Sequence, residues 1–531
     1  MSKVNKYPAV CILFMLILSA CGSTPTPVVT PSAPISQASA TPISTLKVPD
    51  EPSPTPSSPV PASQLFDIPW NESKVFETNL IPGDMAVLDQ IAGATQYRIE
   101  LNIPEDYQNI IGHEEALYTN RETQTLEDVY FRLFPNINGG GIQVENVRVN
   151  GEDAQTTLES ANSAMKVALR EPLEQGQQAL FQLDFSLEIP REMGGNYGLF
   201  GYFDQILVLD LFYPAIPVFD ENGWYKETPS GNGDLSYYDA SFYLVRVKAP
   251  LPLVLATSGV EITQTEEGGQ QVREYALGPG RDFSIAGSEL FTVLSKYQGD
   301  TRINIYTSPN GAEGQNLALK AAQNALQIFG KRFGTYDYSE FDVIATPMRA
   351  GGVEYAGAVW INQQYFDLNS STSGTPTSIY LESTVAHEAG HQWFYNAVGN
   401  DQFREAWLDE ALVQYITGLY YLDVYGSAGF DGVRDSWYSR WSRVDMEQMP
   451  IGLPCGEYSD VEYGAIVYGR GPLFMQTLSE TMGQANFDAF LKNYYQTYRW
   501  QIAQGTDFRQ LAESQCNCDL TDLFDTWVYA Q

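Results

Sequence analysis

Residues 381–399 read LESTVAHEAGHQWFYNAVG, and within them His387-Glu388-Ala389-Gly390-His391 sets the reading of the whole chain. The composition favours a helix despite Gly390. A spacing of four then puts both imidazoles on one helical face, where they can hold one metal ion, with Glu388 beside them as a base for an attacking water. Two of the chain's 3 histidines fall in this motif, so chance is a poor explanation for it.

A catalytic zinc takes three protein ligands and keeps one position open. Residues 392–409, eighteen in all, separate His391 from Glu410, which stands in WLDEALVQY (407–415). That segment starts a second helix able to pack on the first and supply a carboxylate. His387, His391 and Glu410 are therefore the expected ligands of one Zn²⁺ per chain, with Glu388 as catalytic base. Glu405 and Asp409, by adjacency alone, are candidates to orient a ligand.

The chain has 531 residues with 30 Lys+Arg against 65 Asp+Glu, a formal charge of −35, which repels nucleic-acid phosphates. Its length suits about three domains or two larger ones. Lys3 and Lys6 precede an apolar run from Ala9 to Leu18, too short to cross a bilayer and typical of a secretory signal. Leu18-Ser19-Ala20-Cys21-Gly22 resembles the lipobox of bacterial lipoproteins, which implies cleavage before Cys21 and its diacylation. The expectation is an extracytoplasmic protein, lipid-anchored to a bacterial membrane through Cys21. Residues 21–64, mostly Pro, Ser, Thr, Ala and Val, cannot bury a core and read as an extended tether.

With residues 1–20 removed as signal peptide and Cys21 acylated, Cys455, Cys516 and Cys518 remain. Outside the cytoplasm they are expected to oxidise, Cys455 pairing with Cys516 or with Cys518. A zinc site from these three has poor spacing.

Residues 65–299 read as a β-rich domain. Tyr97, Ile99 and Leu101 alternate with Arg98, Glu100 and Asn102, and Phe181 to Ile189 repeat the habit, with turn signals at Asn150-Gly151 and Asn222-Gly223. Residues 300–531 read as a mostly helical catalytic domain of an α+β protein. Strands are predicted at 303–306 and 341–344, and helices at 314–333, 379–398, 405–424, 463–481 and 487–499, followed by a short terminal one. His113, alone in a polar stretch, reads as a surface residue.

HEAGHQWFYN, eighteen residues and WLDEALVQY together resemble the gluzincin aminopeptidase family that includes aminopeptidase N and leukotriene hydrolase. Gly351-Gly352-Val353-Glu354-Tyr355 is similar in form to the family's Gly-Ala-Met-Glu-Asn, with Val for Met and Tyr for Asn. The resemblance implies a thermolysin-like catalytic domain and an edge strand, including Gly351 and Gly352, that pairs with the substrate backbone. It implies too that Glu354 binds the substrate's α-amino group. Tyr468-Gly469-Arg470-Gly471 resembles the family's Tyr-x-Lys-Gly and implies that Tyr468 steadies the oxyanion. Phe212-Tyr213-Pro214 with Asp220 resembles the family's Phe-Pro-x-x-Asp, and counting eight back from Tyr213 assigns Gln205 to substrate binding. Residues 520–527 resemble the segment that closes the family's catalytic domain, so the helical domain that follows in many relatives is expected to be missing and the cleft more open.

The expected activity is hydrolysis of the N-terminal peptide bond of peptides. Two alternatives stand beside it: a zinc endopeptidase or oligopeptidase using the same site, and a catalytically inactive surface-binding lipoprotein.

Overall fold

The computed structural model describes residues 62–228, 230–234 and 236–529. The expected signal peptide, Cys21 and nearly all of the proline-rich segment lie outside the described residues. Among the described residues no helix is long and apolar enough to cross a membrane. Apart from residues 372–374, the described chain packs as one unit.

The first half is built from strands. An eight-stranded mixed sheet runs in the order Val260–Glu267, Gln270–Gly280, Ser241–Pro250, Gln96–Asn102, Asn109–Thr119, Gln178–Glu188, Gly141–Val149, Glu152–Asp153. Its one parallel pairing joins Gln96–Asn102 to Ser241–Pro250, and the other pairings are antiparallel. The alternation seen in the sequence buries Tyr97, Ile99, Leu101, Phe181, Leu183, Phe185 and Leu187 on one face. Gly112 belongs to that face because a Cβ there would come within 2.1 Å of the Phe185 ring. Glu114, on the same buried face, is fully enclosed, and neither carboxyl oxygen has a hydrogen-bond partner among the described residues. His113 points to the other face, where its Nδ1 meets Asp184 at 2.7 Å.

A five-stranded sheet opens the second half in the order Thr292–Gln298, Thr301–Thr307, Glu340–Thr346, Ala358–Asn362, Gly352–Tyr355. Thr292–Gln298 pairs with Thr301–Thr307 across Gly299, whose φ of 62° suits the tight turn. This sheet therefore reaches N-terminal of the expected boundary at 299/300. Gly352–Tyr355 is its edge, paired among the described residues only with Ala358–Asn362.

Helices follow at Gln315–Arg332, Thr377–Gly390, Glu410–Tyr425, Ser427–Trp441, Asp460–Ala465, Gly471–Met482, Gln484–Tyr498, Gly505–Cys516 and Thr521–Trp527. Two expectations are corrected. The helix foreseen to Val398 ends at Gly390: beyond it the Trp393 amide bonds three residues back to Gly390, the Asn396 amide bonds five back to His391, and Tyr395 leaves the helical region with φ 144°. Ser427–Trp441 was not foreseen. Gly429 and Gly432 weaken its first half, and it is held by packing, with Trp437 fully buried over Gly418.

The cysteine pairing is corrected as well. Cys516 and Cys518 bond to each other, brought together by Asn517 in a left-handed conformation at the end of Gly505–Cys516. Cys455 is a buried free thiol, its Sγ within 3.3 Å of the Gln402 carbonyl. Buried there, it meets no second cysteine among the described residues.

Candidate metal centre

His387 sits in the last turn of Thr377–Gly390, and His391 follows at the helix end with φ −64° and ψ −13°, so the four-residue spacing keeps both rings on one face. Glu410 opens Glu410–Tyr425, the carboxylate of Asp409 capping its first amide at 2.7 Å. Trp407 anchors that start. Its fully buried ring packs edge-on to Phe474, Phe508 and Phe524 at 5.9, 5.5 and 6.3 Å.

The three donors converge. His387 Nε2 lies 3.2 Å from Glu410 Oε2 and 3.2 Å from His391 Nε2, and His391 Nε2 lies 3.6 Å from Glu410 Oε2. Donors about 2.0–2.1 Å from one tetrahedral ion stand about 3.3–3.4 Å apart, so the set fits a single zinc. The rings are perpendicular, and His391 Nδ1 meets the Phe394 carbonyl at 3.1 Å, which turns Nε2 inward. Burial pushes the His387 imidazole down, while Glu410 lifts His391 against burial to about 9. Against its own burial, Glu410 is held well down by hydrogen bonds to both rings.

Glu388 is buried beside them and raised by desolvation, with Glu354, Glu410 and Asp234 adding to the shift against His391. Gly352 makes room for it, since a Cβ there would fall 2.5 Å from Glu388 Oε1. Gly351 has more space, its nearest neighbours being Thr384 Oγ1 and the Tyr365 hydroxyl at 3.7 Å. Glu354 lies buried on the same edge strand, held by Gln402 Nε2 at 3.2 Å.

Tyr468 donates its hydroxyl to Glu410 Oε1. It sits in a π-helical stretch, Ile466–Arg470, that widens the backbone at this point. Gly471 allows the approach, because a Cβ there would meet Ala411 Cβ at 2.5 Å. Arg470, the counterpart of the Lys in the motif, faces away and donates to the carbonyls of Met449, Trp527 and Thr526.

His387, His391, Glu410, Glu388, Glu354, Gly352 and Tyr468 thus surround one point. Gln205 is placed elsewhere: it occupies the exposed turn between Phe200–Phe203 and Ile206–Leu209, where its carbonyl accepts from Ser288 Oγ at 2.8 Å. Asp220 pairs with Arg404 at 3.0 Å. Glu405 accepts the Gly505 amide at 2.9 Å, whereas Asp409 stays beside Glu410 and is pushed up to about 7, first by burial and then by that carboxylate.

Two residues at the site were missed. Asp234, in the loop before Ser241–Pro250, brings a carboxyl from the β half into hydrogen-bond contact with Glu410; burial, Glu410 and Asp409 raise it. Glu354 is raised in turn by burial and then by Asp234. Nothing in the polar stretch around Gly233-Asp234 marks this role in sequence. Gln392, next to His391, accepts the Gly357 amide at 2.9 Å and donates to the Tyr355 carbonyl at 2.8 Å, which docks the edge strand against the helix end. Its adjacency to the motif was the available signal.

Comparison with known proteins agrees with this geometry. Residues 317–527 match the Peptidase family M1 domain. Aminopeptidase M1-B of Oryza sativa subsp. japonica is 25% identical over 247 residues, 44% of this chain and 27% of that protein. Endoplasmic reticulum aminopeptidase 2 of Homo sapiens is 23% identical over 229 residues, 40% of this chain and 23% of that protein. The matches thus span about a quarter of these relatives. A crystal structure of an M1 zinc metallopeptidase from Deinococcus radiodurans superposes with a TM-score of 0.63 at 19% identity, over 82% of this chain and 93% of that one, and shares the fold. With its donor set intact and the family model spanning its helical half, the chain carries a Peptidase family M1 domain.

Proposed function

We propose that this protein is a zinc-dependent aminopeptidase, hydrolysing the N-terminal peptide bond of peptides outside the cytoplasm and tethered to the membrane through Cys21. The observation that carries the exopeptidase reading is Glu354. A buried carboxylate sits on an edge strand beside the three donors, with a second, partly buried acid, Asp234, adding to its electrostatic surroundings, and among the described residues no cationic side chain pairs with it. A substrate ammonium neutralises such a pair, and a peptide backbone can extend the unpaired strand edge.

His387, His391 and Glu410 would hold the zinc, which when bound would supply Lewis acidity and make a water easier to deprotonate. Glu388 takes the proton as that water attacks the carbonyl carbon, and returns it to the leaving amine as the C–N bond breaks. The Tyr468 hydroxyl, close to the donors, is positioned to donate to the oxyanion. Glu354 fixes the register, so that the first peptide bond is the one beside Glu388.

A free-amine substrate compared with its N-acetylated twin tests this reading. Leucyl-4-nitroanilide is expected to be cleaved in a chelator-sensitive way and N-acetyl-leucyl-4-nitroanilide to be at least a hundredfold poorer. Equal cleavage of both would instead support an endopeptidase. For the anchor, fatty-acid labelling of the wild type that vanishes in Cys21→Ser is the expected result.

A further inference from the structure

We propose that Arg440 binds the free C-terminal carboxylate of short peptides, on the leaving-group side of the scissile bond. This rests on the aminopeptidase reading above and adds to it a preference for dipeptides.

Arg440 lies near the end of Ser427–Trp441 and is partly buried. Gly469 leaves room for its stem, since a Cβ there would come within 3.1 Å of Arg440 Cβ. The guanidinium carbon stands 5.9 Å from the centre of the Tyr468 ring, and Nη1 donates to the Tyr468 carbonyl at 3.3 Å. That is one long bond for a group with five N–H donors.

Other arginines are better satisfied. Arg332, Arg404 and Arg499 each hold an aspartate. Arg281 and Arg470 spread their donors over several backbone carbonyls. Among the described residues no carboxylate pairs with Arg440, although the chain carries 65 acids against 30 Lys+Arg. Leaving a partly desolvated guanidinium unpaired in so acidic a protein suits a site kept for an incoming anion.

The edge strand sets the direction of a bound peptide. Glu354 marks the ammonium end, Gly352 lies against the base Glu388, and Gly351 lies against the Tyr365 hydroxyl. Tyr365 stacks on Tyr380 at 5.3 Å. Tyr468 brings its hydroxyl to Glu410 Oε1, and the Arg440 guanidinium stands beside that tyrosine's ring and carbonyl, which puts it next to the donor set. An extended dipeptide spans only about 7 Å, so its carboxylate falls just past the scissile bond. Arg binds carboxylates through paired, planar N–H donors, which Lys cannot reproduce.

The experiment compares kcat/KM for Leu-Ala and Leu-Ala-NH2 with the zinc-loaded full chain. Wild type is expected to favour Leu-Ala by about tenfold or more, with the difference in KM. Arg440→Gln is expected to bring the ratio near one, and Arg440→Lys to fall between. Calorimetric binding of the two ligands to Glu388→Gln should follow the same order without turnover. A wild-type ratio near one, or an unchanged ratio in Arg440→Gln, overturns the proposal. So does Leu-Asp-NH2 matching Leu-Ala in an Arg440-dependent way, which would assign the site to an acidic side chain. Failure of wild type to cleave leucyl-4-nitroanilide would overturn the aminopeptidase reading itself.

Discussion

Gly352→Ala places a methyl group against Glu388, the proposed base, without touching a metal donor. The new Cβ would stand 2.5 Å from Glu388 Oε1 and 2.7 Å from its Cγ, whereas ordinary contact begins at 3.4 Å. Restoring contact moves the carboxylate by about 0.9 Å. Glu388 is buried and cannot swing into solvent. A misplacement of about 1 Å at a reacting group costs about a hundredfold in rate. The expected result is a fall of about that size in kcat for leucyl-4-nitroanilide, with zinc content and thermal midpoint close to wild type. Gly351→Ala, with 3.7 Å of clearance to Thr384 and Tyr365, serves as the comparison and should lose at least tenfold less. If Gly352→Ala keeps kcat within threefold of wild type, the placement of Glu388 as base beside the edge strand is refuted.

Three further outcomes follow from particular residues. Glu354→Gln removes the anion proposed to meet the substrate ammonium and should raise KM for Leu-Ala at least tenfold, while N-acetylated substrates show no comparable change. Glu114, enclosed without a partner, has its carboxyl pushed well above the ordinary 4.5 by burial alone, so the folded state favours the protonated form. The contribution of Glu114 to stability must then fall as pH rises above about 4.5, by up to about 1.4 kcal/mol per pH unit, so Glu114→Gln should gain on the wild type over that range in denaturant titrations. A gap that stays constant with pH would contradict this. Under non-reducing conditions, the folded domain from residue 62 onward should show one thiol, Cys455, labelled only after unfolding. Rapid labelling of the native protein would contradict its burial.

The donor set was legible because its chemistry is local. His387 and His391 share a face through helix periodicity, and the eighteen residues before Glu410 were enough to call in a second helix. The strand-rich half was legible through alternation, as at Tyr97–Leu101, where one face of the sheet is buried. What escaped depends on contacts between distant segments. Asp234 reaches Glu410 only because the β half folds against the helical half, and its own loop carries no periodic signal. Ser427–Trp441 contains Gly429 and Gly432 and little amphipathic pattern, yet Gly418 and Trp437 lock it in place. The Cys516–Cys518 bond turns on the left-handed Asn517, which the spacing alone did not reveal. Gln205 was assigned by counting along a segment whose length differs here, and the chain turns it into an exposed loop.

The most direct measurement is zinc binding to the wild type, His391→Ala and Glu410→Gln, by metal analysis and X-ray absorption. One zinc per wild-type chain with nitrogen and oxygen neighbours at about 2.0–2.2 Å, and affinity lost by at least tenfold in both variants, is the result expected. A folded wild type that takes up no zinc, or variants that bind it as tightly as wild type, would contradict convergence of His387, His391 and Glu410 on one ion.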